Sequence, residues 1–278
     1  MKIPEGVVLL DSLGDLKPNN TCPILVCGSH CGGNRELAQH VRNCNVKAVF
    51  LNNAGIGKNQ AGIRGLLHYE TEDILACAVD HNSAEIGIAQ DTWESGTISH
   101  TNAQAKEAGI EIGDAVKDAV AKIINMGYPT PATRESKIHA SNNNETNSKS
   151  LKQQTQTEIN GVLITVTDSI TFLNESNAGD VVVCGSHGGL SAGEYAQKHR
   201  LKAVFFNDAG IGKNSAGTKS LESLSDAGII ACTVSCMSAE IFNGQDVLNN
   251  GIVSVCNQLA KERNIKKNMT VKEALKHI

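Results

Sequence analysis

The chain is written twice, and that constrains its fold more than any other feature. PILVCGSHCGG (23–33) returns as DVVVCGSHGG (180–189). KAVFLNNAGIGKNQAG (47–62) returns as KAVFFNDAGIGKNSAG (202–217). ILACAVDHNSAEI (74–86) returns as IIACTVSCMSAEI (229–241). Asp11 and Asp168 are 157 residues apart, as are Cys27 and Cys184, whereas from Lys47 to Asn102 the offset is 155. Matching words in matching order mean a duplicated unit of roughly 120 residues, far longer than a solenoid repeat.

Within each copy, short β-branched runs (VVLLDS, ILVCGS, AVFLN, LACAV) alternate with helical patterns (NRELAQHVRN, AGIRGLLHYE, GDAVKDAVAKI). Such alternation predicts βα units around a mostly parallel sheet. The expected fold is α/β: two Rossmann-like three-layer units in tandem, related by a pseudo-two-fold. The first covers 1–127 and the second 160–278. Between them, 128–159 is rich in Asn, Ser, Thr, Gln and Lys, and reads as a flexible polar linker.

Composition narrows the function. The 278 residues are 40% hydrophobic but only 3% aromatic, with a net charge of −4. A chain without a basic footprint or stacking aromatics is a poor nucleic-acid binder. No stretch suits a membrane span, so no membrane partner is expected. Nine cysteines, several inside apolar strand-like runs, suggest reduced thiols and a cytoplasmic setting. The partner expected is a small anionic molecule, and the chain is read as a homo-oligomer or a pseudo-dimeric monomer.

Every repeated word sits at a strand's carboxyl end, where ligands bind in parallel sheets. The fragments NNAGIG and VCGSHCGG resemble pieces of the short-chain dehydrogenase/reductase family. That family also needs T-G-x-x-x-G-x-G and Y-x-x-x-K. Gly28, Gly32 and Gly33 form a different turn, and Tyr69 and Tyr195 are followed four residues on by Asp73 and His199. Nor is GIGKN a P-loop, since Asn follows the Lys.

Glycine-rich turns beside a Lys nevertheless predict a small-anion site. Lys58, Lys213, Asn59, Asn214, Gly57 and Gly212 are therefore expected to bind substrate, with Ser29, Ser186, Asp11 and Asp168. Asp11 and Asp168 could equally cap a helix, and Ser83 and Ser238 read as N-caps. His30, His81, His187 and Asp208 are the expected acid–base groups. Cys27 and Cys184 read as buried thiols. The copies differ at Asn53/Asp208, His81/Cys236, His100/Val255 and Cys31/Gly188, which points to diverged sites or one composite site. The expected protein is an enzyme on a small anionic metabolite, with hydrolysis favoured over isomerisation or elimination. A nucleotide- or phosphate-binding regulatory module is the alternative. No organic cofactor is called for, and a divalent metal held by Asp and His from separate loops stays open.

Overall fold

A computed structural model describes residues 3–18, 23–127 and 154–278. Most of the expected linker lies outside these residues. The first half runs β1 (Val7–Leu10), β2 (Ile24–His30), α1 (Arg35–Asn43), β3 (Ala48–Asn52), α2 (Gly65–Thr71), β4 (Leu75–Val79), α3 (Ala89–Ser95), β5 (Ile98–Thr101), α4 (Ala103–Glu107) and α5 (Val116–Asn125). The second runs β6 (Gln154–Ile159), β7 (Val162–Thr167), β8 (Val181–His187), α6 (Leu190–Lys198), β9 (Ala203–Asn207), α7 (Leu221–Asp226), β10 (Ile230–Val234), α8 (Gly244–Asn250), β11 (Val253–Cys256), α9 (Gln258–Glu262) and α10 (Val271–Ala274).

The sheets are ordered β1-β2-β3-β4-β5 and β11-β10-β9-β8-β7-β6. The first four strands of one sheet and β7–β10 of the other are parallel, while β5 and β11 close their sheets antiparallel. Neighbours follow chain order, so strand order never reverses. A Rossmann sheet does reverse, and its ligand crevice forms there. The expected Rossmann-like form is thus met as a mixed, mostly parallel α/β sheet with a different strand order.

The crossover helices α1 and α2 share one face, where Ala38, Val41, Leu66 and Tyr69 pack on Leu25, Val49, Leu51 and Ala76. The other face is covered after the antiparallel turn into β5, by Trp93, Ala105, Val116, Ala119 and Val120 against Val26, Phe50 and Cys77. The second half repeats both layers. Its sheet has one strand more. Residues 154–159, expected in the linker, pair antiparallel with β7 through Asn160 (φ 53°) and Gly161 (φ 80°). Asn-Gly with two positive φ angles is the favoured two-residue hairpin turn, which outweighs the polarity of QTQTEI.

The halves meet through the AGIGKN turns. Gly55 and Gly210 pass so close that a Cβ on either would lie 2.8 Å from the other's Cα. Both have positive φ, 70° and 74°. Only glycine satisfies both demands at once.

Candidate functional site

AGIGKN holds the two halves together by reciprocal bonds. The Lys58 ammonium donates to both carboxylate oxygens of Asp246, at 2.8 and 2.9 Å. Lys213 does the same to Asp91, at 2.7 and 2.9 Å. Asn59 donates to Glu240, and Asn214 to Glu85. The Lys58 amide bonds the Cys236 carbonyl, and the Lys213 amide the His81 carbonyl. Burial alone would raise the pKa of Asp91. Bonds from Lys213, the Glu85 amide and Ser95 outweigh it and hold the carboxyl below its ordinary value. Asp246 follows the same pattern with Lys58. Each cation of the expected anion loop is therefore neutralised by an aspartate of the other half. Gly57 and Gly212 lie under the Cys236 and His81 carbonyls, where a Cβ would come within 2.9 and 2.7 Å.

Asp208, expected to act with His187, makes its hydrogen bonds elsewhere. Its Oδ1 accepts the amides of Gly210 and Cys236. Asn53 accepts those of Gly55 and His81 in the same way. The two residues share one turn-fixing geometry despite their different charge. His81 packs against Gly210, with its Nδ1 3.1 Å from Asp80. Asp11 accepts the Ala89 amide and Asp168 the Gly244 amide, so each caps a helix start across the sheet. Ser83 and Ser238 are not N-caps. Their hydroxyls bond the Asp80 and Ser235 carbonyls and accept the Thr97 and Ile252 amides. The chain stays in turns after S-A-E-I because Gly87 and Phe242 take positive φ (84° and 60°), and helix resumes only at α3 and α8.

Four of the expected residues do converge. His30, His187, Ser29 and Ser186 end β2 and β8 and face a cleft between the halves, in two linked chambers. The outer, about 270 Å³, includes Ser12, Ser29, His30, Leu37, His40, Ser169, Phe172, Tyr195 and Phe242. The inner, about 50 Å³, shares Ser12, Ser29, His30, Ser169 and Tyr195, and adds Ser186, His187 and Ser191. Ser29 Oγ accepts the Leu13 amide at 2.9 Å and Ser186 Oγ the Ile170 amide at 3.0 Å. Each hydroxyl proton is thereby left to donate elsewhere. No Lys or Arg lines either chamber.

The histidines are held neutral. Burial pushes His30 down to about 4, the Gly32 backbone offsetting only part of that. Burial, with His30 nearby, pushes His187 down to about 3. The Gly189 amide donates to His187 Nδ1 at 3.1 Å. An imidazole that accepts at Nδ1 carries its proton on Nε2. His187 is therefore a hydrogen-bond donor at Nε2. Gly189 is required there, since a Cβ would lie 2.7 Å from His187 Nδ1. His30 Nδ1 is buried with no hydrogen-bond partner.

The Cys27 and Cys184 thiols accept the Ser29 and Ser186 amides, and burial raises both to about 12. All eight described cysteines are buried free thiols. Among the described residues, no three His, Cys, Asp or Glu side chains gather as metal ligands, and no helix is long and apolar enough to cross a membrane.

The sequence reading missed Phe242, Phe172 and Tyr195 as lining residues. The pairs Asp11-Ser12 and Asp168-Ser169 read as possible helix caps, and Ser12 and Ser169 do cap the short turns that follow, accepting the Gly14 and Thr171 amides. Tyr195 and His40 hold corresponding places on α6 and α1, but nothing in the words around them marks a site. No protein-family model, curated protein or solved structure matches this chain.

Proposed function

We propose that this chain is an enzyme acting on a small carbonyl compound in the cleft between its halves, with hydrolysis the favoured reaction. One observation carries the reading. Two buried, neutral imidazoles from different halves converge on one hydroxyl-lined cavity, and a backbone amide fixes His187 as a donor. A neutral donor in a water-poor site polarises a carbonyl oxygen and stabilises the charge that develops on it. The amino end of the nine-residue α6, which has no side-chain cap, adds amide dipoles to the same wall. His30, on the wall of both chambers, would exchange a proton with an attacking water. The serine hydroxyls orient the substrate's other oxygens.

The lining also refines the expected ligand. With the lysines engaged in the interface, the substrate's oxygen meets neutral donors, which suits a carbonyl or a single carboxylate better than a phosphate. The reciprocal Lys–Asp and Gly–Gly contacts support an internal duplication with a pseudo-two-fold, in which one composite site replaces two separate ones.

The test is a turnover screen of small amides, esters and lactones, with wild type and His187→Asn compared on every hit. Asn keeps an acceptor for the Gly189 amide but loses the Nε2 donor. A loss of about 10²–10³ in kcat is expected, the scale of one oxyanion donor. Undiminished turnover in the variant would remove His187 from the mechanism. Saturable binding of these compounds without turnover would leave a ligand-binding module.

A further inference from the structure

The two histidines are covered unequally. The loop before α3 places Gly87 over His187, where a Cβ would meet His187 Cε1 at 3.3 Å and Ser191 Oγ at 3.1 Å. The corresponding loop before α8 places Phe242 over His30, with ring centroids 5.8 Å apart. Phe172 meets the Phe242 ring edge-on at 6.3 Å. Phe242 has φ 60°, a conformation bulky residues rarely adopt. Its ring does not repay that strain as buried core. It is only half-buried, and it lines the outer chamber. A strained aromatic residue facing a cavity is the kind of outlier that marks a functional constraint.

The two chambers also differ in chemistry. The inner one holds His187, Ser186 and Ser191, and at about 50 Å³ it has room for one small polar group. The outer one, about 270 Å³, is walled by Phe172, Phe242 and Leu37. We propose that the substrate is amphipathic: a carbonyl head that enters the inner chamber, and a compact apolar body packed against Phe242 and Phe172. Phe242 is then the specificity-determining residue. The inference rests on the carbonyl reading of the site and adds the nature of the body. Apolar clefts with a few convergent polar groups select ligands this way.

Three probes share one head and differ in the body: acetamide, phenylacetamide and gluconamide. Binding is read from the His187 Nε2–H resonance in ¹⁵N-histidine-labelled protein, at pH 7.5. Phenylacetamide is expected to bind at least tenfold more tightly than gluconamide. In Phe242→Gly, which suits the positive φ, that preference should fall below about threefold. Phe242→Asn, also tolerated at positive φ, serves as the second variant and should invert the preference. If gluconamide matches or exceeds phenylacetamide on wild type, the apolar-body inference is overturned while the carbonyl reading stands. A preference unchanged in both variants overturns the role of Phe242. If no amide moves the His187 resonance, the inference fails together with the carbonyl reading.

Discussion

Acidification from pH 8 to pH 5.5 is expected to weaken the fold by about 3 kcal/mol through His30 and His187 alone. Their folded pKa values, about 4 and about 3, lie below the ordinary 6.5. Between those limits the unfolded chain binds more protons than the folded one. The stabilising contribution is thus fully present above pH 6.5 and is lost as pH falls toward the folded values. At pH 5.5 an unfolded histidine of pKa 6.5 is about ten-elevenths protonated while each folded one is almost neutral, a cost of roughly RT ln 11, about 1.4 kcal/mol each. The figure barely depends on how far below 5 the folded values lie. Carboxylates do not intrude, because their ordinary values, 3.8 and 4.5, lie lower. His100 and His199, also lowered by burial, add a background that a variant must subtract.

The assay is urea unfolding of wild type and of the His30→Asn/His187→Asn double variant at pH 8 and pH 5.5. The wild-type midpoint should drop by roughly 1 M more than the variant's over that interval. Equal drops would refute the claim that these imidazoles are buried neutral. So would a ¹⁵N titration showing either ring protonating near pH 6.5. The donor tautomer assigned to His187 would fall with that result, and so would the chemistry built on it.

Four further outcomes follow from the same contacts. Lys213→Ala should destabilise by roughly 1–3 kcal/mol, because it leaves the partly buried Asp91 without its cation, and it should leave ligand binding in the cleft intact. Lost binding with unchanged thermal stability would instead restore the anion-loop reading. Gly189→Ala should displace His187, abolish its Nε2–H resonance pattern and cost about 2 kcal/mol or more, read by calorimetry. Gly55→Ala should loosen the inter-half contact through both its φ of 70° and the approach to Gly210, seen as faster proteolysis between the halves. Cys27 and Cys184 should stay unreactive toward a thiol reagent in the native protein at pH 8, since burial holds both near 12; rapid labelling of either would revive a thiol-based chemistry.

Much of the architecture was legible because it is local. The apolar runs became strands within a residue or two, and Asn34 caps α1 by accepting the Leu37 amide at its own third position. The Asn160–Gly161 hairpin was equally local, but the polar composition around it masked the turn. The site was only half legible. His30 and His187 could be placed at strand ends from C-G-S-H alone. Lys58 could not be assigned, because its partner Asp246 stands 188 residues away and no spacing rule joins them. A lysine beside a glycine turn reads as a free cation until the tertiary structure supplies its anion.

The near-identity of AGIGKN in both copies has a physical cause distinct from catalysis. A symmetric interface requires the same patch on both sides, since each residue must complement its counterpart. Gly55 faces Gly210, and Lys58–Asp246 mirrors Lys213–Asp91, so each half supplies both the cation and the anion of the interface. Chemistry places no such demand on a composite site. Once both halves belong to one chain, the groups that meet at the cleft are free to differ. There the copies do diverge: Phe242 stands opposite Gly87 and Tyr195 opposite His40, around the pairs that both halves keep, His30 with His187, Ser29 with Ser186 and Ser12 with Ser169. Repetition thus marks the surface that joins the halves, and asymmetry falls on the cleft where the proposed ligand would be selected.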